Sequence, residues 1–189
     1  MCTNYMQIMA EKALAKALAA QVRESAEEPP AGSIFPKRKA YIARNANGRR
    51  VIDTMRWGFP PPPNAKAPVV NVRNLDSPFW RSTLGNPEQR CLVPATSFSE
   101  WEGQPGSKVQ HWFSIPSRPV FAFAGIWRPT DEGNVFAFLS CAPNPLVGAI
   151  HPKAMPVVLH DEDYGRWLEG EDAGLLAQPY PSQLMVADG

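Results

Sequence analysis

Residues 9–28 are rich in Ala, Glu, Lys and Gln, and Leu14, Leu18 and Val22 recur four apart. That spacing puts them on one face of an amphipathic helix, and it predicts a helix over 9–28 ended by Pro29 and Pro30. Beyond this point the apolar stretches are short and broken by Gly, Pro, Asn and Asp, which is the texture of a sheet. Candidate strands cover 40–44, 51–57, 69–73, 90–93, 98–101, 110–115, 120–127, 135–140 and 155–159. Asn47-Gly48 reads as a tight hairpin turn because both residues tolerate positive φ, and 131–134 reads as another turn. A second helix is expected over 161–168 with Asp161 as its cap, a shorter one over 172–177, and a returning strand over 184–186. Pro60 to Pro63 form a stiff polyproline loop. With no internal repeat and no break in composition, the pattern predicts one α+β domain over 1–189. Its expected core is a curved or barrel-like sheet, with a few peripheral helices.

Composition narrows the class. A chain of 189 residues can bury a core unaided. Its 44% apolar and 20% charged residues are globular values, and no apolar run is long enough for a bilayer, so no membrane partner is expected. The start, Met-Cys-Thr-Asn-Tyr, lacks the basic region and apolar block of a secretory signal, which predicts a cytoplasmic protein; it is read as a monomer. Cys2, Cys91 and Cys141 are an odd set with no C-x-x-C pair, which argues against a disulfide framework and against a zinc site. The formal net charge is +1, so any attraction to nucleic acid must be local. Basic residues do cluster at Lys37, Arg38 and Lys39 and at Arg44, Arg49 and Arg50, with Arg56 and Arg73 following.

Cys2 carries the most distinctive chemistry. Loss of the initiator Met would leave a free α-amine and a thiol on adjacent carbons. In model peptides the amine titrates near pH ~8 and the thiol near ~8.5, so both reactive forms are within reach at neutral pH. Such an aminothiol condenses with an aldehyde through nitrogen and then closes a thiazolidine through sulfur, a ring that Ser or Thr cannot form. Cys91 and Cys141 lie in apolar strands and read as small buried hydrophobes.

Several ordered blocks accompany Cys2: Arg56-Trp57-Gly58 with its proline loop, Asn71-Val72-Arg73, Arg90-Cys91-Leu92-Val93-Pro94-Ala95 leading to Phe98-Ser99-Glu100-Trp101, and His151 followed by Met155-Pro156-Val157-Val158-Leu159. In order and spacing these blocks resemble the SOS response-associated peptidase family over residues 2 to about 168. The resemblance implies a sheet-based α+β fold with a barrel-like core and a positively charged groove. It also implies covalent capture of the ring-opened abasic site in single-stranded DNA, linked to removal of Met1 and to peptidase-like chemistry, with no metal or organic cofactor.

Residue by residue, the resemblance assigns the nucleophile to Cys2, orientation of the N-terminus to Asn71, proton shuttling to Glu100 and proton transfer at the sugar to His151. It assigns phosphate contacts to Arg73, a stacking wedge to Trp57, and places Arg56 and Lys153 on the DNA-binding surface. The blander readings are a turn or strand-end residue for Asn71 and a core tryptophan for Trp57. Thr3 and Asn4 stand where the family commonly has Gly and Arg, which implies one fewer cation facing the DNA. Asn74-Leu75-Asp76 replaces the family's Glu-Thr continuation, and Pro152-Lys153-Ala154 is one residue longer than the usual approach to Met-Pro, with Lys153 in place of an arginine. Two other readings stay open: an N-terminal-nucleophile cysteine peptidase or amidase using the same residues, and a non-covalent module for single-stranded DNA.

Overall fold

The computed structural model describes residues 2–23, 28–63, 65–104 and 106–188. The chain runs β1 (Tyr5–Gln7), α1 (Glu11–Ala17), β2 (Gln21–Val22), β3 (Gly32–Ile34), β4 (Lys39–Ala46), β5 (Arg49–Trp57), β6 (Asn71–Val72) and α2 (Pro78–Leu84). It continues through β7 (Arg90–Ala95), β8 (Ser97–Glu102), β9 (Val109–Ser114), β10 (Phe121–Thr130), β11 (Gly133–Cys141) and α3 (Pro145–Ile150). The last elements are β12 (Met155–Pro156), β13 (Val158–Leu159), α4 (Asp163–Leu168), α5 (Ala173–Leu176) and β14 (Val186–Asp188).

The fold is α+β and sheet-rich, built on a closed barrel. β11 pairs antiparallel with β10 and parallel with β5, while β10 pairs β7, β7 pairs β4 and β4 pairs β5, so the path returns to its start. Closure gives the alternating apolar residues of these five strands a common interior. Trp57 stacks on both Phe136 and Phe138, and Phe123 tilts against Phe138. Tyr5 enters from outside the ring and meets Trp57, Phe123 and Phe138 edge-on at 5.1, 5.8 and 5.9 Å. A second sheet, ordered β14-β9-β8-β1-β3, carries that N-terminal strand.

The β4–β5 hairpin turns at Asn47 and Gly48, with φ of 52° and 73°, as the sequence predicts. At Gly125 the barrel wall is too tight for a side chain. A Cβ there would lie 2.7 Å from Val93 and 2.8 Å from Cys91 Sγ, and the Gly125 carbonyl accepts from the buried Trp167 indole at 3.1 Å.

Several elements depart from the sequence reading. The first helix covers only Glu11–Ala17, because Ala19 turns left-handed at φ 48° and Gln21–Val22 then pairs in parallel with the open edge of β5. Residues 24–27 of the expected helix lie outside the described residues. Strand hydrogen bonds offered by β5 override a favourable helical composition. The expected strand 155–159 is split, since Met155–Pro156 pairs with β11 whereas Val158–Leu159 pairs with β10. Asp161 does not cap α4; its carboxylate meets Arg118 instead, and the helix begins at Asp163. Asp172 does cap α5, accepting from Gly174 N and Leu175 N. α2 and α3 escaped the sequence reading, although Ser77-Pro78 and Asn144-Pro145 place Pro in the first helical turn, a recognised start signal. Among the described residues, no helix is long and apolar enough to cross a membrane.

Candidate active site

The second sheet fixes the N-terminus against the barrel. β1 pairs with β8 (Tyr5 opposite Phe98, Met6 opposite Ser97) and with β3 (Tyr5 opposite Ile34). Gln7 locks the register. Its buried amide donates to the carbonyls of Tyr41 and Pro94, both at 2.8 Å, and accepts from Tyr41 N at 3.1 Å. Toward Cys2, Ser99 N donates to the Asn4 carbonyl at 3.0 Å, which extends the contact with β8 past Tyr5.

Cys2 is 2% exposed and its Sγ lies 3.4 Å from the Asn4 carbonyl. Asn71, delivered by the short β6 lying parallel to β11, donates its Nδ2 to the Cys2 carbonyl at 2.9 Å. Asn71 Oδ1 is buried and has no hydrogen-bond partner among the described residues. Glu100 of β8 is 3% exposed, on the same face of the strand as Phe98. Its Oε2 lies 3.8 Å from Nδ1 of His151, the residue that ends α3. Cys2, Asn71, Glu100 and His151, which lie up to 149 positions apart in sequence, are thus neighbours.

Electrostatics set the protonation states. Burial pushes the Glu100 carboxyl up to about 7, so near neutral pH it can both give and take a proton. His151 is held below its ordinary value by burial and by the nearby Lys153 charge, which favours its neutral form. The Cys2 thiol is raised strongly, first by burial and then by the Glu100 carboxylate. This corrects the expectation that its ordinary pKa leaves the thiolate within easy reach: burial and the neighbouring Glu100 favour the protonated sulfur.

The residues expected to contact DNA separate into distinct groups. Arg73 and Lys153 are exposed. Arg56 is part-exposed, but its guanidinium is paired with Glu132 at 2.7 Å, so part of its charge is already offset. Trp57 is fully buried, its indole donating to the Val70 carbonyl at 3.1 Å. It offers no ring to a nucleobase, and the wedge reading gives way to that of a core tryptophan. Sequence reasoning missed Trp101, which is 43% exposed directly beside Glu100. Strand alternation was the available signal, because it places Trp101 on the face opposite Phe98 and Glu100. Asn4 is buried at 5% exposure. Of the remaining histidines, His111 contacts Glu102 at 2.9 Å and His160 lies against Tyr180. Cys91 and Cys141 are buried free thiols, as read from sequence.

Comparison with known proteins places this geometry. Two curated proteins, both named abasic site processing protein YoqW, come from Bacillus subtilis (strain 168) and Bacillus phage SPbeta. Each is 30% identical over 183 residues, spanning 85% of this chain and 79% of its own. A crystal structure from Bordetella bronchiseptica superposes with a TM-score of 0.81 at 25% identity over 98% of both chains. Another, from Bacteroides thetaiotaomicron, gives a TM-score of 0.81 at 19% identity over 98% of this chain and 90% of its own, and speaks to the fold alone. The family described as SOS response associated peptidase (SRAP) matches residues 1–188, and the chain belongs to that family.

Proposed function

We propose that this protein captures abasic sites in single-stranded DNA as a covalent thiazolidine at Cys2. The observation that carries the reading is the meeting of Asn71 and Glu100 at this one cysteine, the first holding its carbonyl and the second titrating near neutrality beside it. The name shared by the curated relatives supports abasic DNA as the substrate.

The chemistry balances without an added reagent. Hydrolysis of the Met1–Cys2 bond frees the α-amine; Met1 itself lies outside the described residues. The amine adds to the aldehyde of the ring-opened sugar, and the resulting carbinolamine loses water to give an imine. The Cys2 sulfur then adds to the imine carbon while its proton passes to nitrogen, closing the ring. The condensation releases one water, which balances the one consumed in removing Met1. Glu100 is suited to give the proton that expels water and to take the thiol proton as the ring closes. His151, neutral beside it, is suited to move the proton that opens the sugar, and Asn71 orients the residue without adding charge. The elevated thiol pKa fits this order, because an imine is a strong electrophile close to the sulfur. A cysteine peptidase that attacks first through a thiolate needs a depressed thiol pKa, whereas burial and Glu100 raise it here. Trp101 is the aromatic placed to stack a flanking base, with Arg73 and Lys153 for the phosphates.

Intact-mass analysis after incubation with an abasic oligonucleotide tests the reading. An adduct formed by the processed protein and absent from Cys2→Ala supports it. Failure of protein with a free Cys2 amine to form any adduct rejects it.

A further inference from the structure

A cavity of about 50 Å³ lies where the start of α1, the segment 28–31 and β4 meet around Gln7. Glu11, Glu28 and Tyr41 line it, together with Gln7, Pro29 and Pro30. Tyr41 is only 5% exposed, yet its buried hydroxyl has no hydrogen-bond partner among the described residues, and neither has Oε1 of Glu11. Neither Glu11 nor Glu28 forms an ion pair with a described residue. Both carboxylates act on the phenol: burial first, and then Glu11 and Glu28, push the Tyr41 hydroxyl up to about 12. Burial and then Glu28 likewise hold the Glu11 carboxyl above its ordinary value. Buried polar groups are costly without a partner, so this cluster of oxygens calls for a ligand.

The wall selects the charge of that ligand. Among the described residues no Lys, Arg or His borders the cavity. Pro29 and Pro30 have no N–H to offer, and the Gln7 amide is committed to Tyr41 and Pro94. The lining is thus poor in donors and carries two carboxylates, which a cation offsets. Oxygen donors favour a hard cation, and among the described residues no group of three or more His, Cys, Asp or Glu side chains gathers as a transition metal would require. Magnesium is commonly held through one or two carboxylates while it keeps several waters, and the cavity has room for an ion with part of its hydration shell.

We infer that Glu11, Glu28 and Tyr41 form a site for a hydrated divalent cation, Mg²⁺ in the first place, with the two carboxylates as its anionic ligands and the Tyr41 hydroxyl bonded to a water of its shell. The site joins three parts of the chain. Glu11 opens α1, Glu28 lies four residues before β3, and Tyr41 belongs to β4, whose backbone Gln7 of β1 grips on both its N–H and its carbonyl. Because β3 pairs with β1, a cation here ties together the surroundings of the N-terminal strand and stabilises the folded chain. The inference is independent of the abasic-site reading.

The test is thermal unfolding of the full chain, stripped with EDTA, in millimolar MgCl₂ and in KCl of equal ionic strength, for wild type, Glu11→Gln and Glu28→Gln. Magnesium is expected to raise the wild-type midpoint by about 2–4 °C and that of either variant by less than about 1 °C. In KCl both variants should be at least as stable as the wild type, because each removes one of two neighbouring like charges. Tyr41→Phe, which deletes only the hydroxyl, should keep the response but weaken magnesium binding about 3-fold. To place the ion, MnCl₂ is titrated while amide signals are followed by NMR; selective broadening at Glu11, Ala31 and Tyr41 that Glu28→Gln abolishes supports the site. A parallel arm uses CaCl₂, and a midpoint that responds to calcium alone keeps the site and corrects the ion. Equal midpoints of the wild type in all three salts overturn the inference. So does a magnesium response that survives in Glu28→Gln, or manganese broadening centred elsewhere on the molecule.

Discussion

At the scale of single residues, the proposed chemistry turns on Glu100. Its carboxyl is raised by burial from an ordinary 4.5 to about 7, so between those values the folded protein holds a proton that the unfolded chain releases. Stability must therefore fall as pH rises from about 4.5 to 7 and then level off, at a total cost of up to about 3 kcal/mol. Glu100→Gln removes that decline, which urea unfolding of both proteins at pH 5 and pH 8 will register as a smaller difference for the variant. The same substitution should slow adduct formation by about 10²-fold or more and flatten its dependence on pH near 7. The two tryptophans separate packing from binding. Trp57→Ala should cost about 3–5 kcal/mol of stability. Trp101→Ala should leave stability nearly unchanged and weaken single-stranded DNA binding by about 1–3 kcal/mol, seen by anisotropy. Equal behaviour of the two variants in both assays would contradict this division.

At the scale of elements, the long strands were legible because apolar alternation and turn residues agree. Strands β4, β5, β10 and β11 all lie where the pattern placed them; β4, β5 and β11 are extended by one or two residues at one or both ends, and β10 begins one residue later and ends three later. The short elements were not. β1 spans only Tyr5–Gln7, too little for a period to show, and what holds it is Gln7 bonding to Tyr41 and Pro94, residues 34 and 87 positions away. No local window contains that information. The first helix was overcalled for the complementary reason, since composition favours a helix while a strand edge elsewhere in the chain captures residues 21 and 22. Gln7→Ala is expected to leave Tyr41 N without its acceptor and to destabilise the protein by about 2–4 kcal/mol. It should also slow adduct formation, because β1 positions Cys2. Full stability in this variant by thermal unfolding would show that the register is fixed by something else. Cys2, Asn71, Glu100 and His151 were legible through ordered motifs, whereas Trp101 needed the strand face.

For the whole molecule, a net charge of +1 leaves binding to localised cations rather than to a general field. If Arg73 and Lys153 each meet one phosphate, the logarithm of affinity should fall with the logarithm of salt at a slope of about −1.4. A much steeper slope would implicate the clusters at Lys37–Lys39 and Arg44–Arg50 as well. The barrel supplies rigidity, the second sheet brings in the N-terminus, and Cys2 is enclosed where they meet. The central claim is that this enclosed cysteine is the point of covalent attachment. Intact-mass analysis of protein with a free Cys2 amine, mixed with a single-stranded oligonucleotide bearing one abasic site, tests it most directly. The account predicts a mass equal to protein plus oligonucleotide less one water, formed without reductant and missing from Cys2→Ala. An unchanged protein mass, or an adduct that survives in Cys2→Ala, would contradict it.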